Sequence, residues 1–256
     1  MTGTVYLVGA GPGAPDLLTL RAARVLGQAD IVFHDALVHE ETLALAARAQ
    51  KVLVGKRCGL YSTAQRFINK RLVDAARSYK VVVRLKGGDP MLFGRAHEEL
   101  ACLLANRIPF EIVPGVTAAL AASADLGLSL TRRGIARSVV FATPRAAEDA
   151  APSGWASAVA AADTAVLYMA VRDSEQVMQE LLRRGLSPRK PVAIVENASS
   201  RERKLWAGTL AELPELAARC GSGPALVVIG EVLAAAREGL LPGLAEPATP
   251  QAARRR

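Results

Sequence analysis

Two glycine-rich turns, Gly9–Gly13 (GAGPG) and Gly87–Pro90 (GGDP), carry the residues of this 256-residue chain best suited to small-molecule chemistry. Glycine lets backbone approach a ligand closely, and Asp89 offers acceptors to an amine or to hydroxyls. Arg95 and Glu98 follow, spaced one helical turn apart, so both can face one ligand. Each turn leaves an apolar run, Thr4–Val8 (TVYLV) and Val81–Leu85 (VVVRL). That is the carboxyl edge of a strand, where open α/β sheets bind ligands. Taken alone, GGDP also reads as an ordinary Asp-Pro turn with a surface ion pair beyond it.

GAGPG, with Ala14 after it, formally satisfies G-x-G-x-x-G/A, and Asp35 stands about 20 residues on, where a dinucleotide fold places its ribose acid. Pro12 and Pro15 each remove a backbone N–H where a pyrophosphate needs donors. A nicotinamide dinucleotide site, a ligand-free turn and a rigid cleft wall all remain compatible with this stretch. His34, His39 and His97 lack a surrounding carboxylate cluster, so no metal site is expected. Cys58, Cys102 and Cys220 are scattered without a CxxC pair, which predicts reduced thiols in a cytoplasmic protein.

The elements that must position these residues are legible from periodicity. Strands are expected at Thr4–Val8, Ala29–Phe33, Lys51–Val54, Val81–Leu85 and Phe110–Val113, and helices at Leu17–Leu26, Thr42–Ala49, Gln65–Ser78 and Glu98–Ala105. This alternation predicts a mainly parallel sheet with crossover helices. The second half reads as a helix at Val116–Leu126 and strands at Ser138–Ala142, Thr164–Met169, Val192–Glu196 and Ala225–Ile229. Helices are expected there at Ser174–Arg184 and Leu210–Ala218, with a polar, irregular loop over Pro144–Gly154. The reading divides the chain into an N-terminal lobe (1–114), a C-terminal lobe (115–236) and a disordered tail (237–256).

Composition narrows the class. Hydrophobic residues at 51% and charged residues at 22% describe a globular chain. Aromatics at 4% argue against a nucleic-acid platform built on stacked rings. The net charge is +8, of which the last twenty residues supply +2 (four Arg, two Glu), leaving +6 on the body. A basic body suits a polyanionic partner, although an arginine-rich genome accounts for the charge equally well. Neither a signal peptide nor a stretch long enough to span a membrane is expected.

The ordered segments VYLVGAGPGAPDLLTLRA, HDALV, VGKR, QRFIN, RLKGGDPMLFGR, PGVTAA, LTRRGIA, TAVLYMA, PVAIVENAS and PALVVIGEV resemble the tetrapyrrole (precorrin) methylase family. The resemblance implies a two-lobed α/β fold, with a mainly parallel sheet in the first lobe and a mixed sheet in the second. It implies S-adenosylmethionine as co-substrate, with S-adenosylhomocysteine as product, in a homodimer without nucleic-acid or membrane partners. The implied activity is C-methylation of uroporphyrinogen III, a tetrapyrrole polycarboxylate, at C2 and C7 to precorrin-2. The alternative is methylation of a later precorrin intermediate of cobalamin synthesis.

On this resemblance the cofactor is held by Gly11 and Pro12 of the first turn, Gly87, Gly88, Asp89 and Met91 of the second, Thr117 and Ala118 of PGVTAA, Met169, Asn197 and Ala225. Asp35 and Leu37 of HDALV, with Arg95 and Arg133, fall on the substrate side. Arg95, Glu98 and Arg133 are the implied catalytic positions. Glu98, Arg133 or a bound water is the base that removes the ring proton. The chain departs from the family pattern at Ala14 (usually GPGDP), at Thr131–Gly134 (often THRD), at Ala142–Pro144 (often TGH) and at Ala170 (usually YMG). Its length suits a methyltransferase without further catalytic domains.

Overall fold

The computed structural model describes residues 2–54, 61–145 and 153–234, and the side chains of 61–145 from residue 65 onward. The expected tail at 237–256, Gly55–Arg57 of VGKR, Cys58 and most of the Pro144–Gly154 loop lie outside the described residues. Contacts divide the chain into two compact units, Met1–Ala121 and Ala122–Arg256.

The first unit is built on β1 (Thr4–Gly9), β2 (Ile31–His34), β3 (Gln50–Leu53), β4 (Val81–Lys86) and β5 (Phe110–Val113). All pairings are parallel and the order is β3-β2-β4-β1-β5. Its crossover helices are α1 (Leu20–Gln28), α2 (Glu40–Ala44), α3 (Tyr61–Ser78) and α4 (Ala96–Ala105). Alternation along the strands sorts the core into two layers. Val5, Leu7, Ile31, Phe33 and Val82 pack with Ile68 and Leu72 of α3 and Leu103 of α4. Val8, Val32, Val83, Leu85 and Val113 pack with Ala22, Val25 and Leu26 of α1. Each such side chain contributes about 1.5–3 kcal/mol when fully buried.

The first helix differs from its expected range in a way that matters for the site. Pro15–Leu17 forms a separate 3-10 turn. Leu18 and Thr19 are extended, and the Thr19 hydroxyl accepts from Ala22 N at 3.1 Å, so α1 begins at Leu20 rather than Leu17. Thr19 outcompetes the apolar period because it satisfies an otherwise orphaned N–H.

The second unit contains β6 (Val139–Ala142), β7 (Thr164–Tyr168), β8 (Pro191–Glu196), β9 (Lys204–Thr209) and β10 (Ala225–Gly230). Their order is β6-β7-β10-β8-β9; β6 and β7 are parallel and the other pairs antiparallel, so this sheet is mixed. Helices α6 (Trp155–Ala161), α7 (Ser174–Arg183) and α8 (Leu213–Ala218) cover it through Val159, Val177, Leu181, Leu213 and Leu216. Helix α5 (Ala118–Leu126) spans the division between the units.

Two elements escaped the periodicity. In β9, KLWAGT follows the charged run RER and holds one glycine, which masks alternation; its hydrogen bonds come from pairing with β8. In α6, WASAVAA is only seven residues long, too short to display a helical stripe. No described helix is long and apolar enough to cross a membrane.

Candidate functional site

Since β1 lies between β4 and β5, the segments leaving these three parallel strands emerge side by side at one carboxyl edge. They are bonded to one another. Ala10 N donates to Lys86 O at 2.7 Å, Gly11 N to Gly88 O at 3.2 Å, and Gly88 N to Gly11 O at 2.7 Å. Asp89 then ties in the third segment. Its Oδ1 accepts from Met91 N at 2.8 Å and its Oδ2 from Gly115 N at 2.9 Å. Gly9 and Gly115 must both be glycine: a Cβ on Gly9 would stand 2.6 Å from Gly115 Cα, and a Cβ on Gly115 would meet Gly88 O and stand 2.8 Å from Gly9 Cα.

This arrangement decides how GAGPG is read. The Gly11 donor is already spent on Gly88, Pro12 has none, and α1 begins only at Leu20. A pyrophosphate cradle needs free donors and a helix N-terminus immediately behind the turn. The turn has lost two such donors and has no α-helix directly behind it. Asp89, expected to meet a ligand directly, spends one lone pair of each oxygen on the backbone and keeps the second for an incoming donor.

The implied substrate residues of the first unit gather at the same edge. Asp35 follows β2, 30% exposed at its side chain, and accepts from Arg84 Nη2 at 2.6 Å. It lines an open hollow of about 420 Å³ together with His34, Glu40 and Leu53, among others. Leu37 is 60% exposed, and its Cβ stands 3.6 Å from the place of a Gly87 Cβ. Arg95 occupies the left-handed region (φ 54°) as the residue before α4. Its Nε and Nη2 donate to the two carboxylate oxygens of Glu98 at 2.6 and 2.7 Å.

That fork holds the Glu98 carboxyl below its ordinary value and raises the Arg95 guanidinium further, the mutual hydrogen bonds being the largest cause of each. A folded value below the unfolded one means the pair stabilises the fold above pH 4.5, and the contribution disappears as pH falls through the lowered Glu98 value. Both side chains are partly exposed, so the contribution at neutral pH is within about 1 kcal/mol. Thermal melts of wild type and Glu98→Gln should therefore differ slightly at pH 7 and converge as pH falls through the lowered Glu98 value; a gap constant with pH would refute the pairing.

A second set of charged groups was not legible in the sequence. Glu99 is fully buried, and accepts from Arg84 Nε at 3.0 Å, from Lys86 Nζ at 3.0 and 3.1 Å, and from Gln65 Nε2 at 3.2 Å. The one available signal was Arg84-x-Lys86, two cations at strand spacing in an otherwise apolar run. Periodicity alone did not identify which of Glu98 and Glu99 turns inward. Burial and the neighbouring Arg84 lower the Lys86 ammonium pKa, whereas Asp35 and Glu99 outweigh burial at Arg84 and raise it.

In the second unit, Met169 follows β7, Ala225 opens β10 and Asn197 follows β8. The pairings Tyr168–Leu226 and Glu196–Ala225 put these three at one edge of that sheet. Met169 (φ 56°) and Asn197 (φ 54°) both have left-handed backbone, as does Arg95, and such strain in non-glycine residues concentrates at functional sites. The Asn197 amide fills the space that a Cβ on Gly223 would need. Arg133 is exposed in a tight turn closed by bonds between Arg132 and Ala136. Thr117 precedes α5 and Ala118 opens it, both in the first unit, Ala118 N lying 4.0 Å from the place of a Gly88 Cβ. Of the histidines, His39 caps α2 by accepting from Glu41 N and His97 is exposed. Among the described residues no His, Cys, Asp and Glu cluster could hold a metal. The Cys220 thiol is pushed up to about 11, chiefly by burial, so it is a poor nucleophile at neutral pH.

Known proteins share this architecture. The chain is 46% identical over 233 residues to siroheme synthase 2 of Aeromonas hydrophila, an alignment covering 91% of the chain and 49% of that protein. It thus spans about half the length of the curated relatives it matches. Uroporphyrin-III C-methyl transferase from Thermus thermophilus, solved in complex with S-adenosyl homocysteine, is 41% identical with a TM-score of 0.78; the match covers 91% of this chain and 99% of that one. A cobalt precorrin-4 methyltransferase is 28% identical with a TM-score of 0.79, covering 90% and 95% of the two chains. The family model of tetrapyrrole (corrin/porphyrin) methylases matches residues 4–214, and with the strand edges described above it identifies this chain as a member of that family.

Proposed function

We propose that the chain transfers methyl groups from S-adenosylmethionine to uroporphyrinogen III at C2 and C7, giving precorrin-2. The observation that carries this reading is the segment from Arg84 to Glu99. The bonded glycine turns flank Arg84, which holds Asp35, and are followed by the Arg95–Glu98 fork; Asp35 can accept from ring N–H groups and Arg95 can donate to an acid arm, which supports the reading. The stronger identity to a uroporphyrin-III enzyme (41%) than to a cobalt precorrin-4 enzyme (28%) supports this substrate over a later intermediate.

The residues fit such a co-substrate. Asp89 keeps lone pairs for amine or hydroxyl donors, while Met91, Ala118, Met169 and Ala225 offer apolar surface, and Gly11, Pro12, Gly87, Gly88, Thr117 and Asn197 complete the proposed cofactor set. S-Adenosylmethionine supplies an electrophilic methyl on sulfur, so the chain needs no nucleophile of its own. Its work is alignment. Arg95 and Arg133 hold carboxylate arms of the macrocycle through charge-assisted bonds, with Asp35 and Leu37 beside the ring. Glu98, held low by Arg95, is a weak base, and a guanidinium does not accept protons near neutrality. Proton removal is thereby assigned to a bound water, with Glu98 orienting Arg95. Asp35, Leu37 and Arg95 of this substrate set belong to the N-terminal lobe and Arg133 to the C-terminal lobe, and the chain works as a cytoplasmic homodimer.

Incubation with S-adenosylmethionine and enzymatically prepared uroporphyrinogen III should yield a product heavier by two CH2 units in mass analysis, each methyl gained being balanced by a ring proton lost. A macrocycle that gains no methyl group overturns the substrate.

A further inference from the structure

Strand β4 buries its last two inward-facing positions as cations. Val82, Arg84 and Lys86 alternate with Val83 and Leu85, and Val82 packs among Ile68, Leu72 and Leu103 beneath α3 and α4. Arg84 and Lys86 are therefore carried into an apolar layer, where their side chains are 3% and 4% exposed. Glu99 of α4, 0% exposed, accepts from both, Asp35 accepts from Arg84 Nη2, and Arg84 Nη1 donates to the carbonyls of Leu85 and Phe33. Gln65 of α3 donates a further bond to Glu99. The cluster balances two cations against two carboxylates.

Stability does not account for it. A buried ion cluster surrenders most of its Coulombic gain to desolvation, and apolar replacements of similar volume are often as stable or more so. Its connections do account for it. Arg84 orients the Asp35 carboxylate at the rim of the hollow. Lys86 is the residue before Gly87, and its carbonyl accepts from Ala10 of the first glycine turn. Lys86 also runs beneath Gly94, its Cε 3.0 Å from the place of a Cβ there, next to Arg95. Glu99 sits on the same helix turn as Glu98, which grips Arg95, and Asn69 holds the Glu98 carbonyl at 3.3 Å. One carboxylate thus references three separately placed features: Asp35, the GGDP turn and the helix start that bears Arg95. Hydrogen bonds to a carboxylate fix direction as well as distance, which apolar packing does not.

We infer that Glu99, acting through Arg84 and Lys86, is a positioning residue of the methyl-transfer site, holding Asp35 and the Arg95–Glu98 fork in register with the GGDP turn. The inference rests on the function proposed above. The bonds that join Gly11, Gly88, Asp89 and Gly115 do not pass through Glu99, so cofactor binding and turnover separate when it is changed.

Three measurements on the full chain test this: thermal melting, S-adenosylhomocysteine binding by calorimetry, and methyl transfer to uroporphyrinogen III. Glu99→Gln should bind S-adenosylhomocysteine nearly as wild type does, while kcat falls by about 10- to 100-fold, the scale of a misplacement near 1 Å. An apolar replacement of the cluster (Arg84→Met, Lys86→Met and Glu99→Leu together) should melt at or above the wild-type temperature, bind S-adenosylhomocysteine, and lose turnover. Near-wild-type kcat in either folded variant, alongside an active wild type, overturns the inference alone. A triple variant that melts far below wild type makes the cluster a stability element and also overturns it. A wild type that transfers no methyl overturns the function itself, and this inference with it.

Discussion

Gly115→Ala is expected to abolish detectable S-adenosylhomocysteine binding and to lower stability by about 2–3 kcal/mol, the cost of forcing atoms into a packed site. The added Cβ would stand 2.8 Å from Gly9 Cα and 3.0 Å from Gly9 C, and would also press on Gly88 O. All three are backbone atoms, which cannot swing aside as a side-chain end can. Relief requires the segment after β5 to move away from those after β1 and β4. That movement breaks the 2.9 Å bond from Gly115 N to Asp89 Oδ2 and releases the GGDP turn. Gly27→Ala is the control, since a Cβ at Gly27, within α1, meets nothing within 4 Å. That change should be neutral or stabilising by up to about 1 kcal/mol. Calorimetry and thermal melts measure both variants. Wild-type affinity and melting in Gly115→Ala would refute the packed arrangement of the three turns.

Arg95→Ala is expected to lower kcat/KM for the tetrapyrrole by about 10- to 100-fold, the worth of one charge-assisted contact, and to leave S-adenosylhomocysteine affinity within about twofold, because uniform loss is confined to the ligand it touches. The Arg95 guanidinium forks onto the Glu98 carboxylate, whereas Asp89 accepts from Met91 N and Gly115 N. The substitution should cost little stability, since the Arg95 and Glu98 side chains are 40% and 33% exposed. Arg95→Lys should recover only part of the loss, because an ammonium cannot reproduce a planar two-point grip. Equal losses of tetrapyrrole turnover and cofactor affinity would contradict the division of roles between Arg95 and Asp89.

Much of this site could be read from the residues because glycine and proline punctuate strands strongly. TVYLV-GAGPG and VVVRL-KGGDP mark both strand ends, and parallel order follows from the helices between them. Less legible was the function of polar side chains whose partners are distant in sequence. Asp89 reads as a ligand acceptor, yet it also bonds Gly115, 26 residues on. Glu99 is indistinguishable from Glu98 by composition, and only the packing of α4 on β4 turns it inward. The start of α1 was misplaced because Leu17 and Leu18 fit the helical period, whereas the Thr19 cap sets the boundary. Strand β9 depends on pairing with β8 and has little propensity of its own.

The dinucleotide reading of GAGPG and the methyl-donor reading make opposite demands on one stretch of backbone. The most direct measurement is therefore calorimetric titration of the full chain with S-adenosylhomocysteine and, separately, with NAD. Saturable binding of S-adenosylhomocysteine with no heat from NAD is the predicted result. Tight binding of NAD without binding of S-adenosylhomocysteine would contradict it.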